Sequence, residues 1–254
     1  MKLTILGSGT STGVPQIGCD CEVCRSADSF DKRLRTSAIV DVRGRRFLID
    51  CGPDFREQIL RLGSPHLDAA LLTHSHYDHV GGIDDLRPYC KDRNFPIYCR
   101  PDVAEDLRNR VPYCFREHPY PGVPRFDLHE LTGDAPFTVD GIEITPLPVL
   151  HYKLPIIGFR IGALAYITDC KTMPAGTLEK IKGVDTLVIN ALRHEPHFSH
   201  MNLDEAMAVI NETAPRQTFL THLSHDMGLH REVEATLPDN VKIAYDGLTV
   251  DVVE

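Results

Sequence analysis

The sequence predicts an α/β fold in which two β-sheets are covered by helices. Three observations carry this. Short apolar runs rich in Val, Ile and Leu recur along the whole chain. Segments of helical spacing fall between them. Tight turns join several of the runs directly. The strand-like runs are 2–6, 37–42, 46–49, 67–72, 142–147, 156–161, 164–168, 186–189, 217–221, 241–245 and 248–252. Arg43-Gly44 and Asp140-Gly141 read as hairpin turns. Helical spacing shows at 54–62, 103–110, 178–181 and 203–211. The last has Asn202 as N-cap and Pro215 beyond its end. Residues 112–124, rich in proline and without periodicity, read as a surface loop near an entrance.

With 254 residues, 42% hydrophobic and 25% charged, the composition is that of a globular protein, not a disordered tail, coiled coil or collagen-like fibre. No repeat or shift of composition divides it, so a single domain over 1–254 is expected. No apolar run reaches the ~20 residues needed to cross a bilayer. The opening segment is a strand ending in glycine, not a secretion signal, so the expected location is cytoplasmic. A net charge of -9 disfavours binding to phosphate backbones. Eight cysteines then read as thiols, some on metal, and thirteen histidines without a Trp point to metal chemistry.

The densest signal is Thr73-His74-Ser75-His76-Tyr77-Asp78-His79, after an apolar strand and before Gly81-Gly82. Packing and solvation give no reason for four such donors in six residues. Imidazole and carboxylate suit zinc and similar first-row dications. The spacing lets His74 and His76 reach one ion while Asp78 and His79 reach a neighbour. His151, Asp169 and His222 each end an apolar run, which places them at the carboxyl edge of a sheet. Taken singly, His151 or His222 reads as an ordinary surface histidine; the cluster changes that reading.

This set resembles the signature of the metallo-β-lactamase superfamily, and Leu48-Ile49-Asp50-Cys51-Gly52 resembles its earlier strand-Asp-Gly motif. The resemblance covers nearly the whole chain. It implies an αβ/βα four-layer sandwich with two divalent metal ions, zinc or manganese, at the sheet edge. One ion takes His74, His76 and His151. The other takes Asp78, His79 and His222, and Asp169 bridges them. Asp50 is expected to orient the histidine loop by hydrogen bonds, the alternative being a turn cap. True β-lactamases often carry a Cys ligand near the bridging position; here Cys170 lies one residue beyond Asp169 and reads as a bystander.

A second motif, Cys19-Asp20-Cys21-Glu22-Val23-Cys24, offers three thiolates. His225, three residues after His222, is the candidate fourth ligand of a tetrahedral structural zinc. Free thiols or a transient disulfide are the alternative. This combination, with the opening Gly7-Ser8-Gly9-Thr10-Ser11-Thr12-Gly13-Val14-Pro15, resembles the PhnP-like phosphodiesterase branch. The glycine run is not a dinucleotide loop. It reads either as a backbone cradle for phosphate or as a plain flexible loop. Cys51, Cys90, Cys99 and Cys114 read as small hydrophobes or free thiols.

The expected function is hydrolysis of a small phosphodiester by a hydroxide shared between two ions. The PhnP resemblance suggests a phosphoribosyl 1,2-cyclic phosphate. Asp78 and His200 are the catalytic candidates, with His200 as general acid toward the leaving oxygen. Nearby His194 and His197 have no assigned role. The rivals are tRNA 3′-processing, thioester or lactone hydrolysis, and a metal-binding scaffold without turnover. Relatives of this type commonly dimerise, so a homodimer is an expectation.

Overall fold

The computed structural model describes residues 1–118 and 120–253; Pro119, inside the expected 112–124 loop, lies outside them. Among the described residues no helix is long and apolar enough to cross a membrane. Fourteen strands among the described residues form two seven-stranded sheets. In chain order they are β1 Lys2–Gly7, β2 Ser37–Val42, β3 Arg45–Ile49, β4 Ala69–Leu71, β5 Phe95–Cys99, β6 Phe126–Glu130 and β7 Phe137–Val139. Then come β8 Ile142–His151, β9 Leu154–Ile161, β10 Leu164–Tyr166, β11 Thr186–Asn190, β12 Gln217–Thr221, β13 Val241–Ile243 and β14 Thr249–Asp251. The first sheet runs β14-β1-β2-β3-β4-β5-β6 and the second β13-β12-β11-β10-β9-β8-β7.

Each sheet buries both faces. Leu3, Val40, Phe47 and Leu71 of the first sheet meet Ile144, Phe159, Tyr166 and Phe219 of the second in a shared core. The outer face of the first sheet packs Leu48, Ala70 and Ile97 on Phe55, Ile59, Val103 and Leu107 from helices Phe55–Arg61 and Pro101–Arg110. The outer face of the second packs Leu187, Ile189 and Leu220 on Ile181, Ala206 and Ile210 from helices Ala175–Ile181 and Leu203–Thr213. The layers are therefore helix, sheet, sheet, helix, as expected from the sequence.

Both expected hairpin turns form. Arg43 and Gly44 have φ 48° and 77°, and Asp140 and Gly141 have 49° and 82°, the left-handed pair a tight hairpin requires. Asn202 caps helix Leu203–Thr213 with a reciprocal Glu205 capping box. Three strands lacked a sequence signal: β5, β6 and β7. Pro96 interrupts β5, and Asp127, His129 and Glu130 give the edge strand β6 a polar pattern. Their partners in the sheets, not local propensity, make them strands. Helix Ala175–Ile181 begins three residues before its sequence signal. From the 112–124 segment, Tyr113 donates to Asp84 Oδ1 at 2.6 Å and Phe115 packs on Phe126.

Most backbone N–H groups of the opening glycine run are taken inside the fold rather than turned toward a ligand. The N–H groups of Ser8, Gly9, Thr10, Gly13 and Val14 donate to Asp246 Oδ1 and to the carbonyls of Leu34, Leu223, Thr10 and Arg33. A Cβ at Gly7 would lie 2.0 Å from the Arg35 carbonyl oxygen, so glycine here serves close backbone packing.

A second close approach frames the site. Cys51 N–H donates to the His79 carbonyl (2.7 Å) and Gly82 N–H to the Cys51 carbonyl (2.9 Å). A Cβ at Gly52 would stand 2.1 Å from the Asp78 carbonyl oxygen. Gly52→Ala must push the two loops apart. It is expected to cost about 1–3 kcal/mol and to lower Tm by roughly 2–12 °C in calorimetry.

Candidate metal centre

Strand ends bring the predicted residues together. Asp50 follows β3, the histidine loop follows β4, His151 closes β8, Asp169 lies three residues beyond β10, and His222 follows β12. Asp50, Asp169 and His222 hold φ of 59°, 57° and 56°, left-handed values that non-glycine residues avoid. Such outliers collect at functional sites. Each turns its side chain off the strand and into one buried space between the sheets.

The donor atoms of Asp78, His79, Asp169 and His222 all lie within 4.8 Å of one another, as do those of His151, Asp169 and His200. The rings of His74 and His76 are 4.5 Å apart, those of His76 and His151 5.1 Å, and those of His74 and His79 4.2 Å. His76 is exposed and faces the mouth, whereas the rest of the seven-residue set is buried. The structure thus joins all seven expected ligands in one cluster, with Asp169 common to both donor groups.

Hydrogen bonds behind the imidazoles fix which nitrogen is free. His79 Nδ1 donates to Asp50 Oδ2 at 2.7 Å. Thr73 Oγ1 donates to Asp50 and accepts from His74 Nδ1 at 3.0 Å. His151 Nδ1 donates to the carbonyls of Asp169 (3.0 Å) and Ser199 (2.9 Å). In each case Nε2 is left as the free donor toward the cluster, the arrangement typical of metal-bound histidine. His74 Nε2 and His79 Nε2 are buried without a hydrogen-bond partner. His79 Nε2 stands 3.2 Å from both Asp78 Oδ2 and Asp169 Oδ2 without alignment to either. Orphaned buried nitrogens facing carboxylates fit a divalent cation.

The electrostatics agree. Burial pushes the pKa of His74, His151 and His222 down, His222 to about 3, so these rings stay neutral. Burial acts the same way on His79, but Asp169, Asp78 and Asp50 override it and hold its pKa well above the ordinary value. Asp169, despite burial, is held well below the usual carboxylate range by His222 and His79.

Several positioning groups carried no sequence signal. Thr10 Oγ1 and Thr36 Oγ1 lie 3.1 and 3.2 Å from the two ring nitrogens of His222. Asn190 grips the loop after Asp169, accepting from Cys170 N–H (2.7 Å) and donating to the Cys170 carbonyl (2.9 Å). Nothing but contact in three dimensions marks a threonine or asparagine for such work. Cys170 itself packs among the helix-side hydrophobes, a bystander as expected. Asp50 is no turn cap: it holds Thr73 and His79 together. His194 points away and donates from Nε2 to the Met227 carbonyl at 3.0 Å.

The second motif also assembles. The ligand atoms of Cys19, Cys21, Cys24 and His225 lie within 4.8 Å of one another. His225 Nδ1 is 3.8 Å from Cys19 Sγ and 3.5 Å from Cys21 Sγ. Backbone N–H groups of Cys24 and Gln16 donate to the sulfurs of Cys21 and Cys24. The bond from Cys24 N–H brings the Cys21 pKa down to about 7, whereas burial pushes Cys24 up to about 11.

A family model described as "Beta-lactamase superfamily domain" matches residues 45–223, and the chain belongs to that superfamily. Within it the chain is PhnP-like. A crystal structure described as a new diphosphatase from the PhnP family is 38% identical, covers 99% of this chain and 98% of its own, and superposes with a TM-score of 0.92. An octanoyltransferase of Porphyromonas gingivalis is 46% identical over 250 residues, 98% of this chain but 51% of that protein. The chain thus spans about half that relative's length. Zn(2+)-bound PqqB from Methylobacterium extorquens shares the fold at 22% identity, with a TM-score of 0.81 and coverage of 99% and 100%. Membership and the His/Asp cluster define a metal-dependent hydrolase.

Two measurements test the two clusters. Asp50→Asn removes the charge behind His79 and is expected to weaken retention of divalent metal roughly 10- to 100-fold, read as metal content against a competing chelator. In metal-stripped protein, Cys21 is expected to alkylate first, with a midpoint near pH 7 and a rate falling below it, while zinc protects it. Burial holds Cys99 and Cys114 at about 12 and 11, so they should stay unreacted.

Proposed function

We propose that the protein hydrolyses a small phosphodiester or diphosphate linkage at a two-metal centre. His74, His76 and His151 would hold one ion, Asp78, His79 and His222 the other, with Asp169 shared; Cys19, Cys21, Cys24 and His225 would hold a structural zinc. The bound pair would supply Lewis acidity and lower the pKa of water toward neutrality. The likeness to the PhnP-family diphosphatase supports phosphorus over acyl substrates. The acyl transfer named for the P. gingivalis relative is said of a chain about twice as long. A phosphoribosyl 1,2-cyclic phosphate is the specific substrate this reading favours.

One observation carries the choice: the setting of His200. Its Nε2 lies 3.1 Å from Asp169 Oδ1, and its ring stacks on His222 at 4.9 Å and meets His151 edge-on at 4.6 Å. Its Nδ1 faces His197 Nδ1 at 3.2 Å. That His197 nitrogen already accepts from Ser199 N–H, so it carries no proton of its own. Ser199 Oγ stands 3.0 Å from the same His200 Nδ1, and Nε2, facing the Asp169 carboxylate, is the nitrogen that carries a proton toward the cluster. Such a ring can hand the Nε2 proton to a departing alkoxide, which phosphoester cleavage requires. His197, unassigned from the sequence, orients it.

Protein loaded with zinc or manganese is expected to hydrolyse bis(p-nitrophenyl) phosphate and small cyclic phosphates; absence of turnover with either metal overturns the reading. His200→Ala is expected to lower kcat on the order of 10²- to 10⁴-fold while the protein retains its metal. Unchanged kcat removes His200 from the chemistry.

A further inference from the structure

A charged side chain is buried between the two clusters and takes no part in the chemistry above. Arg33 is 5% exposed. Its Nη1 donates to Ser8 Oγ at 2.9 Å and to the Ala244 carbonyl at 2.6 Å, and its Nη2 faces His230 Nδ1 at 3.2 Å. The carboxylates that balance the guanidinium are Asp246 and Asp31, and each is reached through a neighbour. Ser8 Oγ donates onward to Asp246 Oδ1 at 3.0 Å. The backbone N–H of His230 donates to Asp31 Oδ1 at 2.8 Å. Burial brings the Arg33 pKa down to about 10, so the group keeps its charge at neutral pH.

Each end of this network reaches one of the clusters. Toward the metal centre, Leu34 N–H donates to Asp246 Oδ2 (2.7 Å), and the Leu34 carbonyl accepts from Gly9 N–H (2.8 Å). The glycine run then pairs with the residue after His222. Leu223 N–H donates to the Ser8 carbonyl and Thr10 N–H to the Leu223 carbonyl, each at 3.0 Å. Thr36 Oγ1 donates to the Gly9 carbonyl at 2.7 Å. The hydroxyls of Thr10 and Thr36 thereby flank the His222 ring. Toward the cysteines, Asp31 Oδ2 accepts from Ser26 Oγ at 2.6 Å, and Ser26 closes the helix Glu22–Arg25 that carries Cys24. The Arg33 backbone pairs with Val14, two residues before Gln16, whose N–H donates to Cys24 Sγ.

A buried guanidinium that meets its carboxylates only through intermediaries is costly, and an apolar side chain of similar length would fill the space without that cost. What the guanidinium adds is geometry. Its planar fork fixes three partners at once: the glycine run, the residue after β13, and the helix His230–Glu234. We propose that Arg33 is a positioning residue for His222. It locks the glycine run, and with it Thr10 and Thr36, against the ring, and it makes ion retention at His222 depend on the order of the cysteine loop. The proposal rests on the two-metal reading for what His222 holds, but the setting of the ring can be read without metal.

The test is a double-mutant cycle of Arg33→Met, which keeps the length and loses the fork, and Cys21→Ser, which breaks the cysteine cluster. Cobalt is the probe, because its thiolate absorption marks an ion among cysteines and separates it from ions held by His and Asp. Retention at the His/Asp centre is read against a competing chelator, with Tm alongside. Each single variant is expected to weaken retention of one of the centre's ions about tenfold, and the double variant no more than either single, since both act through one path. Retention unchanged in Arg33→Met, whatever its Tm, makes Arg33 a plain stabiliser and overturns the proposal. Losses that add in the double variant break the path from the cysteine loop and also overturn it. If Arg33→Met does not fold, Ser8→Ala, which removes only the hydroxyl between Arg33 and Asp246, takes its place in the cycle. Metal-free protein gives a second readout, the imidazole NMR signals. The His222 signal is expected to shift and broaden in Arg33→Met while those of His74 and His151 stay in place; a His222 signal identical to wild type overturns the proposal. Should wild type hold no cobalt at the centre while the His222 signal responds, the two-metal reading fails and the positioning role stands. Should the centre hold its ions and cleave diesters with neither retention nor signal responding, the positioning role fails and the two-metal reading stands.

Discussion

The structure depends on one electrostatic constraint: three carboxylates, Asp50, Asp78 and Asp169, converge on a buried space between two sheets. Burying a carboxylate is costly unless a positive charge and hydrogen bonds compensate it. Protein groups cover only part of that need. His79 sits among all three, bound to Asp50 and 3.2 Å from each of the others. His74, His151 and His222 are driven to their neutral forms by burial and add no positive charge. What remains is a nest of acceptors and free imidazole nitrogens. A divalent cation would complete it, as the metallo-β-lactamase fold implies.

Holding such a nest requires rigid supports, and the fold supplies them from strand ends. Parallel strands deliver Asp50, His74 and His222 from two sheets, and the tight turns after β3, β10 and β12 place their side chains inward at a cost in backbone strain. The strain is held by backbone contacts around it. Gly52 lets one loop lie directly on the next, and Asn190 clamps the turn after Asp169. The opening glycine run belongs to the same support. It packs on residues 33–35 and on Leu223, and so brings Thr10 and Thr36 against His222. The cysteine-rich loop is tied to the same place, because His225, which starts a short 3-10 helix, lies three residues beyond His222.

His200, the proposed acid, lies at the rim of this frame. His200 touches the buried nest through Asp169 but reaches it from a segment that is half-exposed, next to His197 and Phe198. The proposed metal-holding groups thus sit at strand ends and on the loop and short helix after β4, while the proposed proton donor sits on a turn. The division follows from physics: ligands need fixed geometry, and groups that meet a substrate need access.

The sequence by itself determined the fold class, the two hairpin turns, the capped helix at Leu203–Thr213 and the seven donors that the fold gathers into the candidate metal centre. Those features depend on local pattern, and a run of donors as dense as His74 to His79 serves neither packing nor solvation. It also marked Cys19, Cys21, Cys24 and His225 by spacing. The tertiary structure alone decided the rest. β5, β6 and β7 are strands because neighbours pair with them, against Pro96 and a polar edge pattern. Asp50 proved to be the group that binds Thr73 and His79, not a turn cap, because β3 and β4 lie side by side. Thr10, Thr36, Asn190 and His197 gained their positions only when distant segments met, since a hydroxyl or amide has no preferred spacing along the chain. Contacts between residues as far apart as Thr10 and His222 are properties of packing, and no local pattern encodes them.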